Sequence, residues 1–133
     1  MNANASAETF SGNMDVDEFM DFLQTRPDGE HWELIEGVAV MMAPASPAHQ
    51  VIAYNFCSLL NGAFAAKGLA LFACNDVGIR NSGLKNFQPE PDVVVLPGVA
   101  GYDLCSVGYR LAAEILSPSN TRREIEPETG PIP

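Results

Sequence analysis

The stretch PEPDVVVL, residues 89–96, constrains the fold more than any other part of this chain. Val93, Val94, Val95 and Leu96 are aliphatic without a break, and three of them are β-branched. A run of that kind reads as a strand covered on both faces. It opens with a carboxylate, Asp92, directly after Pro91. An aspartate there is either a turn residue or a group set at the edge of the core for a purpose.

The rest of the chain supplies cover for such a strand. In MDVDEFMDFLQ, Asp15 is suited to cap a helix, with Glu18 as the reciprocal partner of a capping box and Met14 and Phe19 at the staple positions. Phe19, Phe22 and Leu23 share one face, and RPDG stops the helix. HWELIEGVAVMMA places two short apolar runs on either side of Glu36-Gly37, a tight hairpin turn. Ser46 and Pro47 start the longest helix, and Ile52, Phe56, Leu59, Leu60 and Ala63 recur at helical spacing. Lys67 and Gly68 suit its end. LALFACNDVGIR reads as one strand, NSGLKNFQPEP and PGVAGYD as loops, and YRLAAEILS as a long strand. The expected fold is therefore α+β or α/β, a mixed sheet with one main helix packed on it.

Length and composition narrow the class. The chain has 133 residues, enough for one domain with its own core. Residues 1–13 read as a flexible tail, 14–118 as the folded domain and 119–133 as an irregular tail. A net charge of −10 argues against broad attraction to nucleic acid or anionic lipid. It does not exclude an enzyme that acts on nucleic acid, because carboxylates holding a divalent cation are acidic by construction. Cys57, Cys74 and Cys105 contain no C-x-x-C pair, which points to free thiols and not to disulfides or zinc. There is neither a signal peptide nor an apolar run long enough to span a bilayer, so a soluble cytoplasmic protein without a membrane partner is expected.

Two acids interrupt otherwise apolar strands: Asp92 and, 22 residues later, Glu114. If their strands are neighbours, the carboxylates converge at one end of the sheet. They would repel unless one held a proton or a cation lay between them, and hard oxygen donors suit Mg²⁺ or Mn²⁺. Spacing alone leaves the plainer readings open: Asp92 as a turn residue, and Glu114 facing solvent or pairing with Arg110.

WELIEGVAVMMAPASPAHQ, PEPDVVVLP and AAEILSPSNTRREIE, taken in that order, resemble the putative restriction endonuclease family (Uma-type), a bacterial family of the PD-(D/E)XK nuclease superfamily. The likeness spans about residues 15–126. Its motifs, E-L-I-x-G, S-P-x-H, P-D-V-V-V and E-I-L-S-P-S, are weak singly and strong together. The resemblance implies a restriction-endonuclease-like fold, DNA as the partner and Mg²⁺ or Mn²⁺ as the cofactor. It implies a Mg²⁺-dependent endonuclease that hydrolyses phosphodiester bonds. Asp92, Glu114 and, as a further acid brought to the site, Glu33 are then catalytic metal ligands, and His49 is a site neighbour whose plainer role is bonding nearby backbone. Trp32 and Tyr54 read as packing residues. A homodimer is one assembly open to such a chain.

The chain departs from the family in two respects. The (D/E)XK pattern places Lys two residues after the acid, and here that residue is Leu116. The family's alternative lysine belongs on a basic helix past S-P-S, where this chain has Pro127 and Glu128. The expectation is a member truncated at its C-terminus, lacking the last helix and strand. The competing reading is a catalytically inactive member that serves as a binding or assembly module.

Overall fold

Asp15 opens the first helix in the way its neighbours require. Its side chain accepts the Glu18 N–H at 2.8 Å, and the Glu18 carboxylate accepts the Asp15 N–H at 3.1 Å. The expected capping box is thus complete. In this computed structural model, which describes residues 9–10, 12–81, 83–98 and 105–116, the order is β1 (Thr9–Phe10), α1 (Val16–Gln24), β2 (Trp32–Ile35), β3 (Val38–Met41), α2 (Pro47–Ala66), β4 (Leu71–Asn75), β5 (Gly78–Arg80), β6 (Val93–Pro97), β7 (Cys105–Val107) and β8 (Leu111–Ala113). The expected C-terminal truncation falls on residues 117–133 and lies outside the described residues.

The architecture is mixed α+β. One antiparallel sheet has the order β1-β3-β2, a second the order β4-β6-β8, and β5 pairs with β7 in parallel. Thr9–Phe10, inside the stretch expected to be a tail, adds an edge strand to β3. The first sheet carries α1: Phe19, Trp32, Leu34 and Ala39 are buried together, with Met14, Val16, Phe22 and Leu23 packed around them. The second carries α2, where Ala53 and Cys57 lie on Ala73, Val93 and Val95. The opposite face of β6 is covered by Ile79, Val77 and Tyr109 over Val94 and Leu96. The strand read as buried on both faces is therefore buried on both.

Four local expectations change. The 71–80 strand divides into β4 and β5, because Asp76 takes φ 55° and turns the chain out of the first ladder into a different sheet. Of the long strand expected over 109–117, the described residues 109–116 form strand only at Leu111–Ala113. Carrying its register two steps further sets Ile115 opposite Pro91, which has no N–H to complete the ladder. α2 meets the sheet with only part of its expected face: Phe56 and Leu60 pack against the core as expected, while Ile52, Leu59 and Ala63 do not. Leu59 is 74% exposed and Ile52 52%, while Ala53 and Cys57 face the sheet. Tyr54, expected to pack, is 67% exposed.

The Glu36-Gly37 turn is built as expected, with φ 49° and 83° at its two central residues, the positive pair a tight hairpin demands. A Cβ on Gly37 would also meet Asn13 Cα at 3.0 Å. Gly37→Ala therefore combines a disfavoured backbone with a backbone clash. It should cost roughly 1–3 kcal/mol in urea unfolding, and an unchanged midpoint would show that the turn adjusts freely.

Candidate active site at the mouth of β6

The site segment Gln88–Asp92 enters β6 across both other strand systems. Leu34 of β2 exchanges both backbone hydrogen bonds with Gln88, at 3.0 and 2.8 Å. Ile79 N–H of β5 donates to Pro89 O at 2.9 Å, and Arg80 Nε donates to Gln88 Oε1 at 2.7 Å. Glu33 Oε2 accepts the Glu90 N–H at 2.8 Å. Prolines at 89 and 91 cannot donate, so the segment's backbone donors are Gln88 and Glu90, while Pro89 only accepts. The acid at the end of this segment is thus delivered from a braced strand, not from a free loop.

Asp92 is 7% exposed. Its Oδ2 accepts the Ile115 N–H at 2.7 Å and the His49 ring at Nε2 at 3.1 Å. Among the described residues its Oδ1 accepts no hydrogen bond. The Asp92 carbonyl is held by Asn75 Nδ2 at 3.1 Å. His49 reaches this point because it lies in the first turn of α2, where Ser46 Oγ accepts its backbone N–H at 3.2 Å. The plainer reading of His49, bonding nearby backbone, holds for its N–H alone, since its ring goes to Asp92.

Glu114 comes from the neighbouring strand. β6 and β8 pair antiparallel with Val93 opposite Ala113. One step further along that register, Asp92 stands opposite Glu114, as the sequence required if the strands were neighbours. Glu114 lies toward solvent, and the Arg110 guanidinium donates to Gly108 O at 3.1 Å. Glu33 lies on β2 and meets the site segment through Glu90. Among the described residues no group of three or more His, Cys, Asp or Glu side chains is gathered to hold a metal. Asp92, Glu114 and Glu33 therefore do not form a ready-made three-acid cage.

Beside these residues stands a second acid–histidine pair that the sequence did not single out. His31 Nδ1 and Glu90 Oε1 are 2.5 Å apart. Burial pushes the Glu90 carboxyl up to about 7; the charges of Asp76 and Glu33 add to the rise, and His31 opposes it. The pair borders a cavity of about 260 Å³ whose lining includes Arg26, Glu30, Trp32 and Asp76. Glu30 is held below the usual carboxylate range by hydrogen bonds from Arg26 and Trp32. Trp32 itself is core, edge-on to Phe22 at 4.9 Å between centroids. Available sequence signals were the acid two residues before Asp92 and the fact that the chain has only two histidines.

Cys57 and Cys74 are free thiols. No helix among the described residues is long and apolar enough to cross a membrane. No curated protein and no solved structure matches the chain. Residues 16–126 do match a family, Uma2, described as putative restriction endonuclease. The match runs from the first residue of α1 through β8 and takes in Glu33, His49, Asp92 and Glu114. With most of its length inside that match, the chain belongs to the putative restriction endonuclease family.

Proposed function

We propose that this chain is a Mg²⁺-dependent endonuclease that hydrolyses DNA phosphodiester bonds, with Asp92 and Glu114 as the metal-holding pair and Glu33 bracing them from β2. The observation that carries the reading is the divided Asp92 carboxylate. One oxygen is fixed by two donors, while the other, on a residue only 7% exposed, accepts no hydrogen bond among the described residues. A buried carboxylate oxygen without a donor is costly, and a cation supplies what the protein omits. Glu114 opposite gives a second hard oxygen donor, and a two-carboxylate set leaves room for water and phosphate oxygens around Mg²⁺. The residues thus fit the ion. When bound, Mg²⁺ or Mn²⁺ supplies a Lewis acid for the phosphodiester and makes hydroxide accessible near neutral pH. The chain's own part is to fix the direction of Asp92, present Glu114 across the strand pair and keep water from the buried side of the site. DNA as substrate and a cytoplasmic setting belong to the same reading.

Supercoiled plasmid is the direct substrate. Nicking or linearisation should require Mg²⁺, stop with EDTA and fall to background in Asp92→Ala. Equal cleavage by that variant would trace the activity to a contaminant.

One observation favours a second reading, a binding or assembly module without cleavage. The residue two past Glu114 is Leu116, and it is exposed, so the lysine that would steady negative charge on the phosphate is missing from that place. Intact plasmid, together with cooperative folding and self-association, would support it.

A further inference from the structure

Among the described residues the Asp92 carboxylate is held through one oxygen only, and both of its holders come from elements distant in sequence. His49 is 43 residues before it and Ile115 is 23 after it. Both meet the same oxygen, Oδ2. Ile115 lies beyond the last β6–β8 pair, Val93 with Ala113, so its backbone N–H is outside the ladder, and this donor arises from the fold and cannot be exchanged by a side-chain change. His49 is different: its ring has no comparable reason to reach into the sheet mouth. The His49 side chain is 19% exposed and that of Asp92 9%. Ser46 and Pro47 fix the start of α2, and the third helical residue is then His49. A carboxylate with one donor can still rotate about its Cβ–Cγ bond and exchange its two oxygens. With two donors on a single oxygen that rotation breaks both bonds.

We infer that His49 is a positioning residue. Its Nε2–H, together with the Ile115 N–H, locks the Asp92 carboxylate so that Oδ1 faces the place of the cation. This rests on the metal reading above and adds a residue that need not touch the ion. Partners that orient a metal-binding carboxylate are commonly worth about 10- to 100-fold in metal affinity.

The test is Mn²⁺ affinity, read by titration calorimetry on the full chain, with thermal melts in EDTA as the record of folding. The variants are His49→Ala, His49→Gln and Asp92→Asn. A glutamine amide carries its N–H close to where the imidazole carries Nε2–H, so His49→Gln should stay within about threefold of wild type, while His49→Ala weakens Mn²⁺ by about tenfold or more. A purely structural histidine would not give that split, since both substitutions would act on stability alone. Wild-type affinity in His49→Ala, beside lost binding in Asp92→Asn, overturns the positioning role and leaves the metal site standing. Absent binding in wild type, or full binding in Asp92→Asn, overturns the metal reading and this inference with it. If His49→Ala fails to melt cooperatively, His49→Asn takes its place. Its amide falls short of Asp92, so it should bind as weakly as the alanine variant was expected to, and full affinity there is again a refutation.

Discussion

Phe19→Ala should destabilise the protein by about 3–5 kcal/mol, the usual cost of removing a fully buried phenylalanine. Phe19 is completely inaccessible and sits among Trp32, Leu34 and Ala39. It is also the only fully buried residue of α1. A nine-residue helix does not persist alone in water, whatever its capping box contributes. The helix is held down chiefly by this one side chain, with Phe22 stacked beside it at 6.5 Å and Met14 closing the N-terminal end. Truncation therefore opens a cavity and frees a whole element from β2. In a domain of this size each kcal/mol moves Tm by roughly 3–6 °C, so a fall of about 9–30 °C is expected. Urea unfolding gives the free energy directly. A loss below about 1 kcal/mol would mean that α1 is not docked through Phe19.

The consequence reaches the site. β2 carries α1 on one side, and it grips the segment before Asp92 through Leu34 and Glu33. Loosening α1 from β2 loosens that grip. Hydrogen exchange at the Leu34 and Gln88 amides should thus rise in Phe19→Ala even where β4 and β6 keep their protection.

What the sequence disclosed followed from how local the cause was. The capping box at Asp15, the Ser46-Pro47 start of α2 and the Glu36-Gly37 turn depend on residues within a few positions of one another, and each formed as read. β6 was legible because four consecutive aliphatic side chains need cover on both faces. The orientation of α2 was legible only in part, through Phe56 and Leu60. Twenty residues without one Asp, Glu, Lys or Arg give no polar face to mark the outside. Small Ala53 and Cys57 face the sheet, and the larger Ile52 and Leu59 do not, which no hydrophobic period could separate. The break at Asp76 was hidden because Val77 and Ile79 continue an apolar pattern across it. At the site, the pairing of Asp92 with Glu114 could be stated only on the condition that their strands were neighbours, and the register supplies that condition. The contact of His49 with Asp92 joins a helix start to a strand mouth. Nothing local encodes such a contact.

Glu90→Gln should stabilise the protein, and by an amount that grows with pH. Burial raises the Glu90 carboxyl to about 7, from 4.5 as its ordinary value. A group whose folded pKa is raised binds its proton more tightly in the native state. The stability tied to neutral Glu90 is fully present below pH 4.5 and is lost as pH rises through 7. At pH 8 the folded protein must hold a mostly buried ionised carboxylate, a cost of about 3 kcal/mol for a shift of this size. Glutamine keeps the neutral shape at every pH. The variant should therefore match wild type near pH 4 and exceed it at pH 8 by roughly that amount, measured by urea unfolding in EDTA so that no cation compensates the charge. His31 gives the sign an independent check. It opposes the rise, so His31→Ala should move the loss of stability to higher pH. Parallel pH profiles for wild type and Glu90→Gln would mean that the carboxyl is solvated. If they diverge as expected, the neutral acid has a further effect two residues from Asp92. Below pH 7 it keeps one negative charge away from the place where a phosphodiester must approach an already acidic surface.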